Sequence, residues 1–297
     1  MSPWNLSLQP PPPPLYPPYE LTAALLRAAG VAPDFESPGP VRYTHRRVEE
    51  REIYFVANRS DQAVQTTGTF RAAIGLPELW DPVTGTLRPL PQFARTNGLT
   101  TIPLRFAPFE SYFVLFPSRA EAVAVSPRET ATNFDEVATV GTLAGSWSVS
   151  FDPALGAPAA VTFERLEDWT QRPEAGIRYY SGIATYRKTF DLPQLARGRS
   201  LSPIYLDLGD VRVMARVRVN GQDCGVAWTA PWRVDITAAV QSTGNRLEIE
   251  VANLWPNRMI GDALSPAKPY TATTYRPYKA TDPLLPSGLL GPVTLMK

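Results

Sequence analysis

Nine consecutive residues, 211–219, alternate without a break between two kinds of side chain. Val211, Val213, Ala215, Val217 and Val219 fall on one face, and Arg212, Met214, Arg216 and Arg218 on the other. A period of two is the signature of a strand that buries one face and shows the other to solvent. Asn220-Gly221 follows at once. These are the residues that tolerate the two positive φ angles of a tight I′ turn, so 222–228 returns as the partner strand. A chain with this segment must contain an antiparallel sheet covered on one side.

The same period recurs in both directions. Trp147, Val149 and Phe151 alternate with Ser146, Ser148 and Ser150, and further strands fall at 186–190, at 205–208 and around Leu247, Ile249 and Val251. Asp235-Ile236-Thr237 reads as the cap of a helical turn. Nearer the amino terminus, Ile53, Phe55 and Ala57 alternate with Tyr54 and Val56, and similar runs occur at 66–73, 99–106 and 109–116. Trp80-Asp81-Pro82 with Thr84-Gly85 marks a turn between them. The 32 prolines and 19 glycines favour short strands and many turns over long helices. No internal repeat is visible, and helices do not alternate with strands, which disfavours a parallel-sheet enzyme fold.

The chain is therefore expected to be all-β, with two β-sandwich modules. Residues 1–40 read as a proline-rich tail with one short helix at 21–30. Residues 41–118 form a small sandwich, 119–140 a linker, and 141–297 a second sandwich. Pro10 to Pro14, with Pro17 and Pro18, predict polyproline II or disorder, either as a tail or as a ligand for a proline-recognition domain.

Several function classes are excluded by counting. There are 29 basic and 28 acidic residues, for a net charge of +1. Such a chain has no field to steer it onto nucleic acid or an anionic membrane, and a neutral ligand fits better. Cys224 is the single cysteine, so no intramolecular disulfide can form and a cysteine zinc site is disfavoured. Cys224 itself reads as a small buried filler. His45 is the single histidine, which rules out a multi-histidine metal site. It reads as a packed or solvent-facing strand residue, or as a lone general base. No run reaches the ~18 apolar residues of a membrane span, and no signal peptide stands at the start. The expectation is an intracellular chain or a natural start elsewhere.

Five stretches then carry a family resemblance: GSWSVSF (145–151), LEDWTQRPEAGIRYYSGIATYRKTF (166–190), LDLGDVRVMARVRVNGQDCGVAWTAPWRVDIT (206–237), NRLEIEVANLWPNRMIGD (245–262) and LLPSGLLGPV (284–293). In this order they resemble the carboxyl-terminal region of glycoside hydrolase family 106, the α-L-rhamnosidase type. That region is similar to the sugar-binding jelly-roll domain of family 2 glycosidases, so the second module is expected to be a galactose-binding-like jelly roll. APDFES (32–37), YTHRR (43–47), EIYFVAN (52–58) and LWDPVTG (79–85) resemble the sandwich just before it. The resemblance covers residues 32–297. It implies a carbohydrate context, a family typically exported, and a (β/α)8 barrel as a partner domain. Such a barrel needs about 250 residues of alternating strand and helix. None of that is in this sequence, so no catalytic residue is carried over. The resemblance also allows a structural calcium ion, although no calcium-loop motif is present.

Glycoside hydrolysis ordinarily uses a pair of carboxyl groups. Among carboxylates in loop-like, aromatic-rich stretches, Glu174, Asp210 and Asp262 are the first candidates. Each has an alternative as a turn residue, a surface charge or an arginine partner. Sugar binding needs an aromatic face and planar polar groups. Trp228, Trp232 and Arg233 make one such cluster, and Trp255, Asn257 and Arg258 a second. Tyr179 and Tyr180 belong to a third. The same tryptophans serve equally well as core or interface packing, and Arg258 with Asp262 as a joint between domains. Three functions follow: a non-catalytic carbohydrate-associated module that binds sugar or supports a catalytic domain, a stand-alone glycosidase, or a structural interaction module.

Overall fold

The computed structural model describes residues 18–118, 132–134, 136–196, 203–265 and 268–297. The run Pro10–Pro14, Pro17 and most of the expected linker lie outside these. The chain divides into two compact units. The first comprises Met1–Ala57, Gln65–Arg105 and Ser111–Asn133, and the second Asn58–Val64, Phe106–Glu110 and Phe134–Lys297. The architecture is all-β, built from antiparallel sheets.

The first unit opens with the helix Tyr19–Ala28, two residues ahead of its expected span. Its five-stranded sheet runs in the order Val41–Val48, Arg51–Asn58, Ser111–Phe116, Glu78–Trp80 and Leu87–Pro89. A four-stranded sheet runs Phe35–Glu36, Val64–Phe70, Leu99–Phe106 and Ala94–Thr96. Residues 35–36, read from sequence as part of the tail segment, are thus an edge strand. An aromatic knot fills this core: Tyr54 meets Phe70 at 5.0 Å between ring centroids, and Phe70 meets Phe116 at 5.4 Å. His45 is a packed strand residue. It stacks on Tyr54 at 4.1 Å, with Nε2 2.7 Å from Glu52 and Nδ1 3.3 Å from Asp34.

Glu49 and Glu50 close the hairpin between Val41–Val48 and Arg51–Asn58, with φ of 49° and 66°. Asn220-Gly221 closes its counterpart in the second unit, at 54° and 82°. Placing an ordinary side chain in the left-handed region costs about 1–2 kcal/mol. The sequence carries no turn signal at Glu49-Glu50.

In the second unit, a six-stranded sheet runs Ala160–Phe163, Trp147–Ser150, Ile183–Phe190, Asn245–Ala252, Met214–Val219 and Gln222–Ala227. A four-stranded sheet runs Thr139–Thr142, Thr294–Met296, Tyr205–Asp207 and Arg233–Asp235. The alternation read at 211–219 breaks at Val213. Asp210–Arg212 leaves to pair with Gly288–Gly291, and only Met214–Val219 joins the large sheet. Trp147, Tyr186, Val217, Ile249, Leu206 and Leu295 are among the residues that fill the core.

Trp169 is fully buried and donates its indole N–H to the Tyr186 hydroxyl at 2.6 Å. Gly288 lies flat against that indole at φ 103°, where a Cβ would come within 2.4 Å of Nε1. As the sequence predicts, Asp235 caps a single helical turn: it accepts from the Thr237 amide at 2.8 Å, and the Val240 amide closes the turn on the Ile236 carbonyl at 3.0 Å. Cys224 is half-buried rather than buried, and burial raises its thiol pKa.

Gly288→Ala therefore combines overpacking with a left-handed backbone. Urea unfolding should show a loss of at least about 2 kcal/mol, whereas Gly221→Ala, which meets nothing within 4 Å, should lose less.

Candidate functional site

The register of the six-stranded sheet gathers the candidate residues at one end. Ala252 pairs with Ile183 on one side and Met214 on the other, and Ala215 pairs with Ala227. The segments following Ala252 and Ala227, and the one preceding Ile183, therefore emerge together. Asn253 ties two of them. Its Nδ2 donates to the Tyr180 carbonyl at 2.8 Å, and its Oδ1 accepts from the Gly182 amide at 3.1 Å. Asn253 also donates to Ser287 Oγ, and Asp168 accepts from the Ser287 amide at 3.0 Å.

Past Trp255 the chain forms the helix Pro256–Leu264, a stretch the sequence presents only as an aromatic-polar cluster. Pro256 at its first position is the signal that betrays it. The buried face of this helix is largely polar, with Ile260 as its apolar member. Asn257, 1% exposed, donates to the Leu285 carbonyl at 2.7 Å and accepts from the Leu285 amide at 2.8 Å. Arg258 and Asp262, one turn apart, form a buried pair with Nε 2.9 Å from Oδ1. That pair lies within ionic range but is not aligned as a hydrogen bond. The Arg258 guanidinium sits 4.8 Å from the Tyr270 ring. Asp262 accepts from the amides of Tyr270 and Thr271 and from the Thr271 hydroxyl, at 3.1, 2.9 and 2.6 Å. Gly261 lets the helix close on Tyr179, where a Cβ would lie 2.6 Å from that side chain. These residues thus anchor the irregular segment 268–287 to the sandwich, and their polar atoms face protein. The cavity lined by Asp262, Thr271, Arg276 and Tyr278 measures ≈ 30 Å³, room for water and not for a sugar ring.

The remaining candidates separate by exposure. Tyr180 is fully buried, edge-on to Phe151 and Trp169, and donates to the Ile183 carbonyl at 3.0 Å. Trp232 packs on the core, and Arg233 reaches Asp207 at 3.2 Å. Trp228 and Trp255 face solvent, 52% and 58% exposed. The first cluster read from sequence is thus split between surface and core, and so is the second.

The candidate carboxylates are all engaged. Arg172 lies between Glu174 and Glu167, at 2.6 and 2.9 Å, with its guanidinium over the Phe163 ring. The hydrogen bond from Arg172 holds the Glu174 pKa below its ordinary value. Asp210 pairs with Arg212 at 2.6 Å. At Asp262 burial opposes ionisation, but the Thr271 hydroxyl, the two amides and the charge of Arg258 outweigh it, and the pKa is lowered. A general acid in glycoside hydrolysis needs a raised pKa, and neither Glu174 nor Asp262 has one. Among the described residues no three His, Cys, Asp or Glu side chains group to hold a metal ion. No described helix is long and apolar enough to cross a membrane.

The fold is built from antiparallel β-sheets, and the known proteins it is similar to are glycoside hydrolases. Residues 19–95 match the family described as alpha-L-rhamnosidase, and residues 172–277 match the glycosyl hydrolase 2 galactose-binding domain-like family. The solved rhamnosidase of Novosphingobium sp. PP1Y is 39% identical, with a TM-score of 0.82 over 93% of this chain. A Formosa agariphila protein named as a beta-glucuronidase is 36% identical over 204 residues, 61% of this chain. The chain spans 26% of the first protein's length and 18% of the second's. It resembles the β-sandwich domains of rhamnosidase- and glucuronidase-type glycoside hydrolases, the second unit being galactose-binding-like.

Asp262→Asn should destabilise the chain by about 3 kcal/mol, because it leaves Arg258 buried without its charge partner. A lowered pKa in the folded state stabilises fully above the ordinary carboxylate range and is lost as pH falls through the folded value. Urea titrations of both proteins should therefore converge below about pH 4.

Proposed function

We propose that this chain is a non-catalytic module of α-L-rhamnosidase-type glycoside hydrolysis, and that the outer face of its six-stranded sheet docks on a catalytic (β/α)8 domain. One observation carries this reading. Most of that face is a ladder of ion pairs: Arg187–Glu248, Arg218–Glu248, Arg218–Glu250 and Arg216–Asp223. At the end of the sheet the ladder gives way to an apolar row. Ile183, Ala252 and Met214 lie side by side in register, with Trp228 next after Ala227. Ile183 is 59% exposed and Met214 45%, and Val226 and Leu254 extend the patch. A contiguous apolar patch rimmed by charge marks a protein contact surface.

A second reading, direct sugar binding, rests on Trp255. It stands exposed at the start of the Pro256–Leu264 helix, where a pyranose can stack on its face.

The purified chain should show no turnover on nitrophenyl rhamnoside, galactoside or glucoside. Robust turnover abolished by Glu174→Gln, Asp210→Asn or Asp262→Asn would overturn the non-catalytic assignment. In a pull-down with the remainder of the Novosphingobium rhamnosidase, the chain should be retained and Met214→Glu should not. Retention of both contradicts docking through this face.

A further inference from the structure

The geometry points to a carbohydrate-binding cleft in the first unit, distinct from the sheet end described above, that takes a neutral sugar. The cleft encloses ≈ 370 Å³, within the range of about 300–1,000 Å³ typical of small-molecule sites. Arg47, Glu50, Glu52 and Arg71 line its polar side, and Ile74, Phe116 and Pro117 its apolar side.

The walls are fixed before any ligand arrives. The Thr100 hydroxyl donates to the Ala72 carbonyl, and Arg95 donates to the Gly75 carbonyl, so the backbone of 72–75 is held from the neighbouring hairpin. Gly75, at φ 68°, lies so close to Pro117 that a Cβ would stand 2.0 Å from that ring. Glu52 is steadied by His45 at 2.7 Å and faces Arg47 at 3.6 Å, and Arg71 is paired with Asp34. Glu50 reaches the cleft from the hairpin turn, where it holds φ at 66° although it is not glycine. Backbone strain of this kind concentrates at functional positions, and here it sets a carboxylate at the mouth of a cavity.

The chemistry selects the ligand. Two guanidiniums and two carboxylates cancel, so the cleft favours neither an anion nor a cation. Guanidinium N–H groups donate to hydroxyl oxygens, and carboxylates accept from hydroxyl hydrogens. Vicinal hydroxyls on one sugar ring meet both, while Ile74 and Pro117, backed by the buried Phe116, take the C–H face. None of these residues lies on the sheet proposed for docking, so the two proposals stand or fall separately.

Saturation-transfer NMR on the full chain tests the cleft, using methyl α-L-rhamnoside, methyl β-D-galactoside and methyl β-D-glucoside as probes, with D-glucuronate alongside. At least one neutral glycoside should receive saturation, and Arg47→Ala and Glu50→Gly should each weaken its binding about tenfold. Glu50→Gly should at the same time raise the thermal unfolding midpoint, because it relieves the left-handed glutamate. Loss of binding in a more stable protein is what a ligand contact predicts and a purely structural residue does not. Transfer to none of the three glycosides overturns the proposal. So does binding unchanged in both variants, or tighter binding of D-glucuronate than of every neutral probe.

Discussion

The register of one strand, Asn245–Ala252, governs the second unit. It pairs residue for residue with Ile183–Phe190 on one side and over six positions with Met214–Val219 on the other. A slip of one residue would turn Leu247, Ile249 and Val251 to solvent and Glu248 and Glu250 to the core. Buried asparagine contacts lock both ends. At the start, Asn245 accepts from the Gln241 amide at 2.7 Å and from Asn220 Nδ2 at 2.9 Å. Asn220 in turn accepts from the Arg246 amide at 2.9 Å. At the finish, Asn253 ties down residues 180–182. The core, the charge ladder, the apolar row and the placement of every candidate residue in this unit follow from that alignment.

The polar residues that look most like a binding site are what hold the architecture. Asn257, Arg258 and Asp262 are buried because the helix carrying them must fasten a long segment that has almost no secondary structure of its own. Backbone amides of such a segment need partners when covered, and Asp262 and Asn257 supply them. Burial then makes the arrangement costly to break. At that end of the large sheet the exposed side chains include four apolar ones, Ile183, Met214, Trp228 and Trp255.

Much of this was legible in the sequence, and the failures are specific. The all-β class follows from period-two runs, and the hairpin at Asn220-Gly221 from turn chemistry. The Glu49-Glu50 hairpin carried no such signal, since neither residue favours positive φ. The helix Pro256–Leu264 was masked by its own composition, a buried face that is largely polar, with Ile260 alone apolar among Asn257, Arg258 and Asp262, where periodicity predicts an apolar stripe. Exposure of individual tryptophans was also hidden. Trp232 and Trp228 stand four residues apart in one irregular stretch, and only the strand register decides that Trp232 turns inward. The partners of His45, Asp34 and Glu52, come from separate strands and loops that no spacing rule connects.

Hydroxyl-radical footprinting tests the central claim most directly, because the proposed contact row contains two readily oxidised side chains, Met214 and Trp228. In the isolated chain both should label strongly while buried Trp169 does not. On addition of the remainder of the Novosphingobium rhamnosidase, Met214 and Trp228 should become protected while Tyr275, exposed on the 268–287 segment, keeps its reactivity. Unchanged labelling of Met214 and Trp228 in the mixture, with protection appearing elsewhere, would contradict the account.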